Sequence, residues 1–282
     1  MSPSETAAGG PTATGGQTAA SEQSVTTERP LQGRRALVTA GSSGIGLATA
    51  SLLRAQGAEV FITGTSDRVA EVAGSIGAAG HAVADFTRPA APAQAAAAAT
   101  AALGGIDILV SNTGGPKPAA FADLEDADWS TAYHLILGSA IALTQAVLPG
   151  MVTAGAGRVI YLTSTAGVVR PLRGLHLSNV MRAGVAALAT SLVTEYGPHN
   201  ITFNVIAPGP IDTDRRRRIM SFQADQHGVD TDTFEAQERE QIPLRRFGGA
   251  DEVASLVAYL ASEPAGFITG AVHVIDGGFT AA

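Results

Sequence analysis

Two short stretches of the chain carry residue types that can do chemistry. Gly41-Ser42-Ser43-Gly44-Ile45-Gly46 is a glycine-rich turn between an apolar run and a helical pattern. Backbone without side chains can turn sharply there and approach a pyrophosphate. The N–H groups and dipole of the following helix would attract that anion. The second stretch runs from Leu175 to Val185 and holds His176, Ser178 and Arg182. Ser178 and Arg182 are one helical turn apart and share a face. A serine hydroxyl is a far weaker acid than a phenol, which ionises near about 10. Arginine stays protonated and cannot shuttle protons. His176, placed just before the helix, titrates in the range where acid–base work is done.

The elements that must position these residues alternate along the chain. Ala36 to Thr39 reads as a first strand, and a helix follows the glycines to about Gln56, stopped by Gly57. Further strands are expected at Ala58 to Thr63, His81 to Ala84, Ile106 to Val110, Val159 to Leu162, Thr202 to Ile206 and Val272 to Ile275. The alanine-rich stretch Ala90 to Leu103 is helical by propensity. Strands separated by helices predict right-handed crossovers and a parallel sheet covered on both faces. The near-continuous apolar strands agree. The expectation is a single α/β domain, a doubly wound seven-stranded parallel sheet of the Rossmann type, over residues 31–282. Ligands of such sheets sit at the carboxyl ends of the strands.

Composition sets the outer limits. The chain has 282 residues, 45% hydrophobic and 15% charged, enough for one large domain. A net charge of −7 argues against nucleic acid and membrane surfaces as partners. The chain has no cysteine, which excludes disulfides and thiolate metal sites and fits a cytoplasmic setting. No apolar run is long enough to suggest a membrane span. Residues 1–30 are rich in Gly, Ala, Ser, Thr and Gln and lack the pattern of a signal peptide. They are expected to be a disordered tail, since they bury too little to offset ordering.

From about residue 33 to 280 the chain resembles the short-chain dehydrogenase/reductase family, in its 3-oxoacyl-carrier-protein-reductase-like branch. The resemblance rests on Thr39-Ala40-Gly41-Ser42-Ser43-Gly44-Ile45-Gly46, Asp85-Phe86, Ser111-Asn112-Thr113-Gly114, Arg182-Ala183-Gly184-Val185 and Pro208-Gly209. Ile242 to Gly248 and Phe267 to Gly270 are typical of that branch. The resemblance implies a dinucleotide held by Gly41, Ser43, Gly44, Ile45, Gly46, Asp85, Phe86, Asn112, Gly114, Arg182, Pro208, Gly209, Ile211 and Thr213. Ala40 replaces the first glycine of the family pattern, a benign change unless the backbone needs a positive φ. The acidic residue expected about 20 residues after the glycines is absent. Thr65 and Arg68 stand in its neighbourhood and suit a 2′-phosphate, so NADP(H) is expected over NAD(H).

The same resemblance implies a catalytic Ser164, which would hydrogen-bond the substrate oxygen. The family's tyrosine and lysine fall at Ser178 and Arg182, and its preceding asparagine at Ile136. Arg182 can keep a ribose contact, but no acid stands at the usual address. His176, Lys117 or water would have to supply the proton. Tyr161 is expected in the core and Tyr133 at a helix interface.

Lys117, Arg170, Arg173, Arg182 and Arg215-Arg216-Arg217-Arg218 fall in segments expected to ring one cleft, with a mobile lid over about 212–245. They suggest an anionic or thioester substrate, contacted by Lys117, Arg170 and Arg215, and neutralising Arg215 and Arg216 should raise KM. Three functions follow. The first is an NADP(H)-dependent oxidoreductase interconverting a carbonyl and an alcohol with an atypical catalytic site. The second is a non-redox isomerase, lyase or cyclase. The third is a catalytically silent subunit of a hetero-oligomer. The resemblance also implies a homodimer or homotetramer.

Overall fold

The computed structural model describes residues 29–281. The expected tail thus lies almost wholly outside the described residues. The strands are β1 (Arg35–Val38), β2 (Glu59–Gly64), β3 (Gly80–Val83), β4 (Ile108–Ser111), β5 (Gly157–Leu162), β6 (Ile201–Pro208) and β7 (Val272–Ile275). The helices are α1 (Gly44–Ala55), α2 (Arg68–Ile76), α3 (Ala91–Leu103), α4 (Asp126–Ala132), α5 (Ser139–Ala154), the short α6 (Thr165–Val168), α7 (His176–Tyr196), α8 (Asp214–His227), α9 (Thr231–Glu240) and α10 (Ala250–Ala261).

All seven strands are parallel, in the order β3-β2-β1-β4-β5-β6-β7. The order reverses at β1, so β1 and β4 flank the switch point where this topology opens a crevice. Alternation along each strand splits the core in two. Leu37, Phe61, Leu109, Val159, Tyr161 and Phe203 face α3, α5 and α7. Val38, Ile62, Val110, Ile160, Leu162 and Ile206 face α1, α2 and α10. Both faces are therefore covered, and the expected Rossmann-type sheet is the observed one. Strand ends differ from the sequence reading by at most two residues, with β4 starting at Ile108 rather than Ile106 and β7 as expected.

Asp126–Ala154 and His176–His199 are long and apolar enough by composition to span a bilayer. Here their apolar residues serve the core. Leu143, Val147, Met151, Leu177 and Val185 are buried against the sheet. Between α4 and α5 the helix widens into a π-type turn, Tyr133–Gly138, that carries the buried Ile136. Such widenings often mark functional segments.

Candidate active site

The glycine turn is clamped from both sides by hydroxyls at strand ends. The Thr39 hydroxyl donates to the Asn112 carbonyl at 2.7 Å and accepts the Asn112 N–H at 2.8 Å. Thr63 accepts the Ala40 N–H through its hydroxyl at 3.1 Å, and its carbonyl takes the Gly41 N–H at 2.7 Å. These bonds tie the turn to β4 and β2 and bring Asn112 beside it. Neither threonine was singled out from sequence as a site residue. The available signal was a hydroxyl just after β1 and one near the end of β2.

The glycines are required by space. A Cβ on Gly46 would lie 2.0 Å from the Ala40 carbonyl oxygen and 2.9 Å from the Asn112 side-chain nitrogen. One on Gly41 would lie 2.9 Å from Ile62. Ser43 is extended (φ −162°) and caps α1 without a side-chain bond, and no acidic residue stands in the first turn. The helix N-terminus is thus left to receive an anion. Ile45 is partly buried against the core behind it.

Ala40 adopts φ +47°. The condition under which its replacement of glycine would be benign is therefore not met. A Cβ in the left-handed region costs about 1–2 kcal/mol, part of which glycine would return as unfolded-chain entropy. Ala40→Gly should stabilise the fold by about 1 kcal/mol and raise Tm by about 2 °C in a thermal scan. No rise would mean that the turn is not strained there.

A cavity opens beside this turn, lined among others by Thr63, Thr65, Phe86, Asn112, Gly114 and Leu135. Phe86 is buried and forms a wall. Asp85 accepts the Thr87 N–H at 3.0 Å and hydroxyl at 2.8 Å, which hold its carboxyl below the usual range. Thr65 and Arg68 are exposed at the end of β2 and the start of α2. Across the crevice β6 ends at Pro208. Gly209 is packed so closely that a Cβ would lie 2.5 Å from that of Asp276. Ile211 is buried and bridges to Gly248. Thr213 caps α8, accepting the Arg216 N–H at 3.3 Å, and its methyl lies over Gly44. Sequence reasoning placed these groups together, and the fold gathers them at one edge of the sheet.

Beyond β5, the Ser164 hydroxyl caps α6 by accepting the Ala166 N–H at 3.2 Å. Ser178 and Arg182 are both buried on α7, and the Arg182 Nε donates to the Ser178 Oγ at 3.0 Å. Burial, with the nearby Arg215 charge adding to it, pulls the Arg182 guanidinium down to about 10. His176 is the first residue of α7 rather than a residue before it, and its ring meets Phe121 edge-on at 5.7 Å. Residues two apart on a helix do not face each other, so His176 and Ser178 point apart. Tyr161 is buried, bonded to the Thr144 hydroxyl at 2.8 Å, and burial raises its phenol far out of the working range. Tyr133 is 41% exposed rather than packed between helices of this chain.

The expected ring of cations is reduced by partners. Lys117 pairs with Asp128 at 2.7 Å. Arg170 donates to the Phe279 carbonyl at 3.0 Å and lies over that ring at 5.1 Å. Both are thus engaged by other groups of this chain. Arg216 pairs with Glu238 at 3.0 Å and covers Phe247, so it belongs to the small core of the α8–α9 segment. The Arg217 guanidinium pairs with Asp212 and with Asp214. Arg215 reaches the β4 loop, donating to the Gly115 carbonyl at 3.2 Å. The side chain of Arg218 lies outside the described set. Among the described residues no cluster of His, Cys, Asp or Glu could hold a metal ion.

A model of the family described as enoyl-(acyl carrier protein) reductase matches residues 39–280, nearly the whole of this sheet. The chain belongs to the short-chain dehydrogenase/reductase family, a family of oxidoreductases. It is 34% identical over 249 residues to the 3-oxoacyl-[acyl-carrier-protein] reductase FabG of Salmonella typhimurium, covering 88% of this chain and 97% of that one. Among solved structures it is similar to a short-chain dehydrogenase/reductase from Serratia marcescens. That match has 32% identity and a TM-score of 0.79, covering 89% of this chain and 99% of the other. It is also similar to L-sorbose reductase from Gluconobacter frateurii, solved with NADPH and L-sorbose. There the identity is 28% and the TM-score 0.85, with 90% and 99% of the chains covered. The strand order of this short-chain dehydrogenase/reductase thus places its glycine turn, the Asn112 loop and the Pro208 turn around one crevice.

Proposed function

We propose that this short-chain dehydrogenase/reductase is an NADP(H)-dependent oxidoreductase interconverting a carbonyl and an alcohol, with an altered acid–base site. The observation that carries the reading is the intact dinucleotide crevice. The clamped glycine turn, the α1 N-terminus without an acid and Thr213 over Gly44 stand together. Ser164 and Arg182 lie beyond, on the far side of the switch point.

Three groups would hold the cofactor. Gly41, Ser43, Gly44, Ile45 and Gly46 would take its pyrophosphate, Asp85 and Phe86 its adenine, and Asn112, Ile211 and Thr213 its nicotinamide half. When bound, the cofactor supplies the hydride. Thr65, just after β2, and Arg68, at the start of α2, suit the 2′-phosphate, although Asp67 stands between them at the α2 N-cap. L-Sorbose reductase, solved with NADPH, supports that preference. Ser164 would orient the substrate oxygen. The Ser178 hydroxyl, held by Arg182, is too weak an acid to protonate that oxygen. Water reaching the cleft would supply the proton, because His176 faces Phe121 instead.

The α8–α9 segment would act as the lid, and the exposed apolar Val169 and Val180 near α7 would pair in a homodimer or homotetramer. A cytoplasmic setting fits this reading. Replacing Arg68 with alanine should weaken NADPH at least tenfold and leave NADH within twofold, read by cofactor fluorescence. Equal losses for both would remove Arg68 from 2′-phosphate recognition.

The missing acid gives a second reading its one specific support. A non-redox isomerase, lyase or cyclase could use the Ser178–Arg182 pair to hold an oxyanion without any hydride step. NADPH binding with no oxidation in the presence of substrate carbonyls would favour it, or a catalytically silent subunit.

A further inference from the structure

We propose that the substrate carries a carboxylate close to its reacting carbonyl, as in a short 2-oxo acid, and that Arg182, Ser178 and Arg215 receive it. This rests on the cleft beyond the glycine turn being the substrate end of the proposed dinucleotide site. Arg182 is 7% exposed, yet no carboxylate of the described residues pairs with it. Its Nε donates to Ser178, while its two terminal nitrogens have no hydrogen-bond partner among the described residues. Nor are those nitrogens fully buried. A buried cation without a counter-ion is costly, and an arriving anion relieves that cost.

The geometry selects a planar two-oxygen anion. The outer edge of a guanidinium presents two parallel N–H groups, which match a carboxylate bidentately. Ser178 accepts from Arg182, which leaves its own proton to donate to the same anion. Serine is also smaller than the aromatic side chain that the family resemblance puts here. Arg215, held at Gly115, lies near enough for its charge to be felt at Arg182. Lys117, Arg170, Arg216 and Arg217 are engaged elsewhere. The anion of the cofactor itself belongs at the α1 N-terminus, beside Gly44 and Thr213.

The test titrates 2-oxobutanoate and its methyl ester calorimetrically into the full chain, with and without NADPH. The acid should bind at least tenfold more tightly than the ester. Arg182→Gln and Arg215→Gln should each remove most of that preference, and Arg182→Lys should keep part of it. Arg215→Gln should leave NADPH affinity within twofold. Equal binding of acid and ester, or binding of neither, would overturn the proposal. So would an Arg215→Gln variant that loses NADPH while keeping the acid, which would assign that arginine to the cofactor phosphates. A chain that prefers the acid but never binds NADPH would uphold the carboxylate site and defeat the dinucleotide reading.

Discussion

Restoring a phenol and an ammonium, Ser178→Tyr with Arg182→Lys, should raise NADPH-dependent ketone reduction about 100-fold or more. General acid–base catalysis contributes about 10²–10⁴-fold, and the phenol sits nearer the pKa that the task needs. The two positions already share a face of α7 and already touch through the Arg182–Ser178 hydrogen bond. The exchange therefore puts the acid where the helix points these side chains. Shortening the cation makes room for the ring. The readout is NADPH absorbance with a 3-oxoacyl thioester as acceptor, wild type and variant side by side. The preference for a free carboxylate should fall at the same time. A variant that folds, binds NADPH and gains nothing would mean a rebuilt site, with the apolar Ile136 breaking any relay behind it.

Gly46→Ala should abolish dinucleotide binding, weakening it by at least 100-fold, about 3 kcal/mol. The added methyl would fall 2.0 Å from a backbone oxygen. That oxygen belongs to Ala40, whose turn is pinned by Thr39 and Thr63 and yields only by breaking those hydrogen bonds. The turn must then open, and the N–H groups that would receive the pyrophosphate lose their shared geometry. Overpacking of this kind costs about 1–3 kcal/mol of stability, so Tm should fall as well. Gly74→Ala is the matched control. Nothing lies within 4 Å of the position its Cβ would take, and it sits inside α2. It should be stabilised by about 0.5–1 kcal/mol with cofactor binding unchanged. Normal NADPH affinity in Gly46→Ala would move the pyrophosphate site elsewhere.

The sheet was legible because its five inner strands are short apolar runs buried on both faces, and burial of that kind leaves a plain mark on composition. The crevice was legible because glycines, Asn112 and Pro208-Gly209 each follow such a run. What stayed hidden depends on direction and partners. Ala40 has the same letter at φ +47° as at a negative φ, so its strain cannot be seen before the turn is built. The four arginines read as one patch of charge. On α8, however, successive residues turn by roughly 100°, sending Arg215 to the β4 loop, Arg216 into a local core and Arg217 to two aspartates. Lys117 and Arg170 were legible as cations but not as cations already engaged, because Asp128 and the Phe279 carbonyl come near only through folding. His176 likewise shows its ring direction only once Phe121 is beside it.

The most direct test of the account is a fluorescence titration of the full chain with NADPH and with NADH, without substrate. The kept crevice, with hydroxyls and Arg68 where an acid would bind a ribose, predicts saturable NADPH binding at least tenfold tighter than NADH. Absence of binding by either nucleotide would contradict the central claim that the dinucleotide site is retained.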